Sequence, residues 1–499
     1  MVSMNALRPR KGMKAALKCL IIYLTILQLG THVYCFKYRY KTNLDKQGLL
    51  FLRWDVDYRR DLVFFSLTAN INKSQGFGFG FSDYGEPTNA DFILYWSEKQ
   101  LIHHFQFYLY KIKTFKQFNR DAWSDKDGIL HVDRQQDYKL SSRRVRKNKV
   151  ILEFERKFLT CDTKDYNLDN GTTHLVFFVA SNIREKPLIG RNVSDFKVGI
   201  QRVQLLKPDI EEPQLEPGTW TIDITAPSVI NPDEIIHYYN GPGMAEGKPP
   251  ELAACRKVIG AWAMGAKALS LPNEAGTPIG GPWFSKYVLL EIHYNNPELK
   301  QGIVDSSGIR FYVTPKLRKY DAGIMELGLE YTNKMAIPPG QNLFHLTGYC
   351  IAECTNIGLP HKGINIFASQ LHTHLTGKKV YTKHVRDGTE LPELNRDNHY
   401  SPHYQEIRAL PEPVQILPGD ALITTCEDST LDRENVTVGG FSISQEMCVN
   451  YVHYYPRCDL ESPLSMQCNQ SNGERFPGYW EGKAVTRIDR PLTQERNTC

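Results

Sequence analysis

The stretch LLFLRWDVD, Leu49 to Asp57, alternates apolar and polar residues with the two-residue period of a strand that buries one face. Comparable runs recur between Asn, Asp and Gly turn residues, namely DLVFFSLTA (Asp61 to Ala69), KVILEFERKF (Lys149 to Phe158) and THLVFFVAS (Thr173 to Ser181). Residues 36–206 are therefore predicted to form a β-sandwich.

The Gly-Phe repeat from Gly76 to Phe81 allows two interpretations. A glycine-rich phosphate loop requires a helix directly after it, and no helical periodicity follows here. We therefore interpret the repeat as a strand with alternating phenylalanines.

Residues 207–240 are rich in Pro, Glu and Asp and are predicted to be an inter-domain linker. Strand-like runs then return in YVLLEIHYN (Tyr287 to Asn295), GINIFASQLHTHLTG (Gly363 to Gly377) and MCVNYVHYY (Met447 to Tyr455). The chain is thus predicted to be mainly β. Its expected parts are a signal peptide or signal anchor at 1–35, the sandwich at 36–206, a linker and a shortened lobe at 207–315, a second lobe at 316–470 and a tail at 471–499.

The charge of the chain is nearly balanced, with 60 Lys and Arg against 55 Asp and Glu and a formal net charge of +5. These charges are spread along the chain, so no nucleic-acid partner is implied. The basic run from Arg143 to Lys149 is predicted to be a solvated loop between strands, in preference to a protease site or an anion patch.

The N-terminus combines the basic residues Arg8, Arg10, Lys11 and Lys14 with an apolar stretch from Ala15 to Leu29, which indicates a secretory signal. Cleavage near Cys35 is favoured over an uncleaved anchor that would attach the protein to a membrane. The expected location is the lumen of a secretory or synaptic vesicle, or the extracellular space.

The 11 cysteines include no CxxC pair, which favours disulfides over metal thiolates in such a compartment. Cleavage would remove Cys19 and Cys35 and leave an odd number. The glycosylation candidates are the N-x-S/T sequons at Asn72, Asn170, Asn192, Asn435 and Asn469.

The pair His372 and His374 is the sharpest chemical feature, because residues two apart on a strand project from one face and can hold one metal ion. Imidazole pairs suit zinc, copper or iron, and a thioether such as that of Met447 would favour copper. The structural alternatives are two hydrogen-bonded histidines and a core methionine. His293 is likewise more often structural when considered alone.

Longer motifs carry a resemblance to a known family. They include AWAMGAK (Ala261 to Lys267), LLEIHYNNP (Leu289 to Pro297), AGIMELGLEYT (Ala322 to Thr332), GINIFASQLHTHLTG and GGFSISQEMCVNYVHYYP (Gly439 to Pro456). The chain resembles the copper type II, ascorbate-dependent monooxygenases that include the dopamine and tyramine β-hydroxylases. Residues 36–206 resemble the DOMON domain that precedes the catalytic core in these enzymes.

The resemblance implies two jelly-roll lobes that each hold one copper, with ascorbate as the electron donor. By motif, His372, His374 and Met447 match the oxygen-activating copper, and His293 matches one ligand of the electron-transfer copper. Glu326 and Tyr451 fall where the substrate amine would be recognised. The implied reaction is β-hydroxylation of a phenolic amine, tyramine or dopamine, by molecular oxygen, and a homo-oligomer is compatible with the family.

The sequence departs from this family between Glu234 and the segment HYYNGPG (His237 to Gly243), where an adjacent histidine pair of the electron-transfer copper is expected. The pair His103 and His104 lies in the sandwich, where strand alternation would place the two side chains on opposite faces. His237 is a single histidine in a different motif. This chain is therefore expected to hold one copper and to have impaired activity.

The family's disulfides, carried over by motif, would be Cys161–Cys499, Cys350–Cys458, Cys354–Cys468 and Cys426–Cys448. Cys255 would remain unpaired, because its partner lies in the absent segment. Two further readings stay open: a non-catalytic secreted copper-binding relative or truncated isoform, and a peptide α-hydroxylase.

Overall fold

The computed structural model describes residues 38–72, 74–101, 113–181, 188–208, 215, 217–225, 235–239, 259–263, 265–266, 268–280, 288–293, 302, 304–305, 307–329, 332 and 335–458. The chain divides into two compact units. The first comprises residues 1–82, 86–167 and 176–201, and the second comprises 83–85, 168–175 and 202–499.

The described part of the DOMON-like region consists of two β-sheets, which agrees with the predicted mainly β fold. The strands are β1 (Tyr40–Asn43), β2 (Leu50–Asp57), β3 (Leu62–Ala69), β4 (Gly76–Ser82), β5 (Asp91–Leu101), β6 (Lys113–Ser124), β7 (Leu130–Val132), β8 (Lys139–Arg146), β9 (Lys149–Lys157), β10 (Thr172–Ala180) and β11 (Val198–Gln204), with a 3-10 turn at Val193–Asp195. One sheet has the order β1-β2-β3-β9-β8, and the other has the order β11-β10-β4-β5-β6-β7.

The Gly-Phe repeat forms β4, and its strand interpretation is confirmed. Phe77, Phe79 and Phe81 are fully buried. The glycines that alternate with them allow close approach on the opposite face, because a Cβ on Gly80 would lie 1.8 Å from the carbonyl oxygen of Asp91. The repeat therefore uses its large side chains for the core and its glycines for backbone proximity.

A buried arginine interrupts the apolar core of the first unit. Arg156 ends the inward-facing row of β9, and its guanidinium donates to Asp91 at 2.8 Å. Carboxylate oxygens of Asp91, Asp121 and Asp165 lie within 4.8 Å of one another. Burial raises the pKa of Asp121 to about 8, with the charges of Asp91 and Asp165 adding to the effect. Arg156 is thus the counter-charge of an acidic core cluster.

The basic run from Arg143 to Lys149 is not a loop, which corrects the prediction. Arg143 to Arg146 belong to β8, Lys147 and Asn148 form the turn, and Lys149 begins β9. β8 is the edge strand of its sheet. Exposed charges on an edge strand oppose pairing with another chain.

The predicted linker at 207–240 contains two strands, so its boundary was wrong. This region and the following residues form β12 (Trp220–Thr225), β13 (Ile235–Tyr239), β14 (Ala275–Gly276), β15 (Leu289–His293), β16 (Gly308–Val313) and β17 (Tyr320–Asp321). They pair as three two-stranded ladders, β12-β16, β13-β15 and β14-β17. Strand structure therefore begins inside the Pro-rich segment.

The second lobe contains two four-stranded sheets, β18-β27-β21-β24 and β20-β25-β22-β23, with a small β19-β26 ladder. Its elements are β18 (Gly323–Gly328), β19 (Ala336–Ile337), β20 (Phe344–Cys350), α1 (Ala352–Gly358), β21 (Ile364–Thr373), β22 (Gly377–Arg386), β23 (Thr389–Asp397), β24 (Arg408–Ile416), β25 (Ala421–Asp428), β26 (Thr437–Val438) and β27 (Cys448–Tyr455). One core cluster of this lobe includes Leu327, Ile364, Ile366 and Val452.

β24 forms an edge of its sheet and contains Pro411 and Pro413. Proline has no N–H to offer to a further strand, which makes it suitable for an edge. No helix among the described residues is long and apolar enough to cross a membrane.

We expect Arg156→Met to destabilise the first unit by about 3–5 kcal/mol, because the buried carboxylate of Asp91 would lose its counter-charge. Chemical denaturation followed by tryptophan fluorescence measures the change. Arg144→Met is the matched control, since Arg144 on β8 pairs with Glu153 at the surface, and its removal should change stability by less than about 1 kcal/mol. Equal effects of the two substitutions would contradict a special role for Arg156.

Candidate metal centre

The end of β21 brings two histidines together. His372 lies in this strand opposite Val449 of β27, and His374 follows directly after the strand ends at Thr373. The two imidazole rings are 5.3 Å apart between centroids, and their planes cross at 88°. The side chains therefore converge on one region.

Both imidazoles use Nδ1 in a hydrogen bond. The Nδ1 of His374 is 3.0 Å from the carbonyl oxygen of Gln445, and the Nδ1 of His372 is 2.6 Å from Oε1 of Gln405. Because a carbonyl oxygen only accepts, the Nδ1 of His374 carries a proton, and Nε2 is the ring nitrogen left to bind a metal ion. A hydrogen bond that fixes the tautomer in this way is typical of metal-binding histidines.

The electrostatics of His372 favour the neutral form. Burial lowers the pKa of this imidazole to about 4, with a further lowering by His374 and an opposing effect of the hydrogen bond to Gln405. His372 is therefore neutral at ordinary pH. A neutral imidazole is the form that binds a metal ion.

A buried carboxylate joins Met447 to His374. Oε1 of Glu446 accepts hydrogen bonds from the backbone N–H groups of both residues, at 2.8 Å in the case of Met447. Oε2 accepts from the backbone and the hydroxyl of Thr376. Glu446 is completely buried, and these four donors satisfy its charge. The carboxylate thus holds the start of β27 against the end of β21.

These donors fit a copper ion. Two imidazoles whose Nδ1 atoms are occupied, together with the thioether of the buried Met447, would supply nitrogen and sulfur ligands. A soft thioether ligand suits Cu(I) and not magnesium or calcium, which prefer oxygen ligands.

Three sequence profiles match the chain: the copper type II ascorbate-dependent monooxygenase C-terminal domain at residues 320–476, the N-terminal domain of the same family at 230–301, and the DOMON domain at 46–181. Human dopamine beta-hydroxylase is 44% identical, over 92% of this chain and 89% of that protein. The chain belongs to the copper type II ascorbate-dependent monooxygenase family. The family implies copper and ascorbate as cofactors.

Other relatives of this monooxygenase are more distant. Tyramine beta-hydroxylase of Caenorhabditis briggsae is 36% identical, over 82% of this chain and 75% of that protein. Human DBH-like monooxygenase protein 1 is 30% identical, over 85% and 74% respectively. Among solved structures, the cytochrome domain of Myriococcum thermophilum cellobiose dehydrogenase aligns with 33% of this chain and 81% of its own length, at 16% identity. The TM-score of 0.25 is too low to support any structural comparison.

The monooxygenase is internally shorter than its human relative. Their alignment extends over 568 positions, which exceeds the 499 residues of this chain. The relative therefore contains internal segments that have no counterpart here.

The residues expected to recognise the amine share a row across the sheet of the second lobe. Glu326 of β18 lies opposite Tyr451 of β27, and Tyr451 lies opposite Gln370 of β21. The Tyr451 ring is 5.9 Å from the His372 ring between centroids. Adjacent strands are about 4.8 Å apart, so Glu326 lies two strands, or about 10 Å, from β21.

The structure describes only the backbone of His293, the remaining metal ligand that the sequence predicts. The backbone of His293 pairs with Ile235 in the β13-β15 ladder, and that of His237 pairs with Glu291. The side chains of both histidines, and the whole of His103 and His104, lie outside the described residues.

The cysteines of the monooxygenase follow the expected pairing in part. Cys426 and Cys448 form a disulfide that joins β25 to β27, directly beside Met447. Cys161 is disulfide-bonded, but Cys499 lies outside the described residues. The expected bond between Cys350 and Cys458 is not formed: Cys350 is a buried thiol, and Sγ of Cys458 donates to the Tyr454 hydroxyl at 3.6 Å.

The difference at Cys350 has a physical reason in the packing. Cys350 belongs to a core cluster that Cys354 and Cys458 also contact, and its thiol packs there as an apolar side chain. Cys468, the expected partner of Cys354, and Cys255 lie outside the described residues.

The sequons differ in exposure. Asn72, Asn170 and Asn435 are exposed, whereas Asn192 is half-buried. The Asn192 side chain donates to the carbonyl oxygen of Asp127 at 2.7 Å and accepts from the Ser194 N–H. Its amide is therefore already used within the fold. Asn469 lies outside the described residues.

Gln405 and Glu446 were not found by the sequence analysis. Glu446 offers one signal, since an acidic residue stands beside Met447 in an otherwise strand-like segment. Gln405 lies between β23 and β24, and no local pattern connects it with His372, which is 33 residues away.

Asp428 is a buried carboxyl group close to this centre, and its pKa is raised. Burial raises its pKa to about 8, with the charge of Glu446 adding to the effect. The hydroxyl of Thr376 contacts both Glu446 and, at 2.9 Å, Asp428. A hydroxyl has only one proton, so when Thr376 donates to Glu446, the neutral carboxyl of Asp428 supplies the proton of the other hydrogen bond.

Asp428→Asn is expected to gain stability relative to wild type as pH rises. The pKa of Asp428 is raised from 3.8 to about 8 in the folded chain. Between these pH values only the unfolded wild type releases the proton, so the wild type loses stability while the neutral amide does not. Above pH 8 the difference should stay constant.

Thermal midpoints between pH 4 and 9 measure this effect. The expected relative gain is at least about 2 °C, the shift that 1 kcal/mol produces in a domain of this size. Asp432→Asn is the control, because the Asp432 side chain is 78% exposed. Parallel profiles for wild type and Asp428→Asn would exclude a stored proton at Asp428.

Proposed function

We propose that this monooxygenase hydroxylates the β-carbon of a phenolic amine, with copper held by His372, His374 and Met447 and with ascorbate as the electron donor. The observation that carries the proposal is the pair of converging imidazoles whose Nδ1 atoms are both occupied by hydrogen bonds, together with the buried thioether of Met447. The relatives named for dopamine and tyramine hydroxylation support the substrate class.

The residues of the chain hold and orient the reactants in this proposal. Copper supplies one-electron oxygen chemistry when it is bound. The Glu326 carboxylate is suited to pair with the substrate ammonium, because charge-assisted hydrogen bonds are the strong ones. The Tyr451 ring lies between Glu326 and β21 and would contact the substrate beside His372.

We further propose that this chain has only one complete copper site. No adjacent histidine pair occurs between Glu234 and His293, and the human relative contains internal segments that this chain lacks. Trp220, Ile222 and Tyr312 of the β12-β16 ladder are each more than 40% exposed, which is consistent with a first lobe that lacks covering strands.

A second candidate follows from the same gap. A secreted copper-binding relative without turnover, or a truncated isoform, would keep the site at His372, His374 and Met447 and lose electron transfer. Sequencing transcripts across the junction from Glu234 to Tyr239 distinguishes the cases. An exon that encodes a His-His strand would identify this chain as a shortened version of an active enzyme.

The proposed location is the lumen of the secretory pathway, in a vesicle or outside the cell. Two observations support it: the apolar segment from Ala15 to Leu29 behind basic residues, and the Cys426–Cys448 disulfide, since disulfides persist in oxidising compartments. Glycosylation is proposed at the exposed Asn72, Asn170 and Asn435.

Copper analysis with an ascorbate-dependent tyramine assay tests the function. We expect one tightly bound copper per chain, and turnover well below that of a relative with both sites. His374→Ala should weaken copper binding by more than about 100-fold, which exceeds the effect of losing an outer hydrogen-bond partner. His345→Ala is the matched control, because the His345 side chain is 54% exposed on β20.

Two outcomes would contradict the proposal. Two tightly bound coppers with normal turnover would refute the single-site assignment. Unchanged copper binding in His374→Ala would refute the ligand set.

A further inference from the structure

We propose that Gln405 is a positioning residue for the candidate copper centre, which determines that Nε2 of His372 faces the metal. The inference rests on the proposed copper site at His372, His374 and Met447. It extends that site to a side chain from the loop between β23 and β24, which contributes no ligand of its own.

The orientation of the Gln405 amide is fixed by a second hydrogen bond. Its Nε2 donates to the carbonyl oxygen of Pro402 at 2.7 Å. That carbonyl accepts only, so the amide nitrogen must point to Pro402, and Oε1 must point to Nδ1 of His372, 2.6 Å away. Oε1 also accepts only. Nδ1 of His372 therefore carries the proton, and the lone pair is on Nε2.

Gln405 is attached to β21 a second time through its backbone. Its carbonyl oxygen accepts from Nε2 of Gln370 at 2.7 Å, and Gln370 precedes His372 by two residues in the same strand. Gln370 and Gln405 are 3% and 8% exposed. Gln405 thus makes two contacts to β21, and both are shielded from water. They fix the position of the Gln405 side-chain amide relative to His372.

The loop that carries Gln405 is braced before and after it. Before it, the buried Asp397 accepts from the backbone N–H of Thr172 at 3.0 Å and from its hydroxyl at 2.6 Å. After it, Arg408 lies 3.0 Å from the same carboxylate and donates to the Thr172 hydroxyl at 2.8 Å.

A further contact fixes the residue beside Gln405. The hydroxyl of Tyr404 accepts from the backbone N–H of Gln204 at 2.9 Å. Thr172 and Gln204 both belong to the second unit, so this bracing is internal to that unit. The ends of the loop and its centre are therefore all held by hydrogen bonds.

The two histidines depend on their partners in different ways. His374 is oriented by the backbone carbonyl of Gln445, which remains whatever side chain stands there. His372 is oriented by the side chain of Gln405 and would lose its partner on a single substitution. An imidazole without that acceptor can adopt the other tautomer or rotate, which weakens its bond to the metal.

The test uses Gln405→Leu and Gln405→Glu in the full-length chain. Leucine removes the acceptor at similar volume, whereas glutamate keeps an acceptor for His372, loses the donor to Pro402 and adds a negative charge. Gln415→Leu is the matched control, because Gln415 is an exposed residue of β24. The readouts are copper affinity by chelator competition, the electron paramagnetic resonance spectrum of the Cu(II) form and the thermal midpoint of the copper-free protein.

We expect Gln405→Leu to lower copper affinity by about 10- to 100-fold, as loss of an outer hydrogen-bond partner typically does, and to change the Cu(II) spectrum. Gln405→Glu should retain most of the affinity, and Gln415→Leu should match wild type. If Gln405→Leu fails to fold, Gln405→Glu provides the test by itself. A Gln405→Glu protein that folds but no longer binds copper would overturn the inference.

Two further results would also overturn it. Folded Gln405→Leu with wild-type affinity and spectrum would show that His372 needs no acceptor, and equal losses in both variants would assign Gln405 to packing. Absence of copper from the wild type would instead refute the proposed ligand set, so the two failures are distinguishable.

Discussion

The register between β21 and β27 is the constraint on which the candidate metal centre depends. His372 lies opposite Val449 and Thr373 opposite Cys448, so the next residues beyond this pair are His374, just after β21, and Met447, just before β27. Side chains alternate between the two faces of a strand, and a slip of one residue would turn every one of them to the other face. The Cys426–Cys448 disulfide and the Glu446 carboxylate act at the same level, where they attach this end of β27 to β25 and to β21.

The strand content and the proximity of His372 to His374 could be predicted from sequence because both are local. The two-residue period of Leu50, Leu52 and Trp54 identifies an inward-facing row, and these residues are buried as expected. The spacing of His372 and His374 likewise suffices to bring their rings together. A local pattern needs no knowledge of what lies opposite in the fold.

The features that could not be predicted from the sequence depend on contacts between residues that are far apart in the chain. β12 lies in a segment whose Pro and Glu content is typical of a linker, and it becomes a strand through pairing with β16, where Trp220 meets Val313. Glu446 meets Thr376, which is 70 residues away in the chain. Neither segment contains a local pattern that predicts its contact, since a hydrogen bond between remote residues leaves no periodicity in the sequence.

The prolines of β24 limit how the second lobe can associate with other chains. Pro411 and Pro413 lie on the edge strand that neighbours β21, the strand of the two histidines. A strand that offers too few N–H groups is a poor template for sheet extension. The sheet that holds the histidines is therefore protected along this edge from growth into a larger intermolecular sheet.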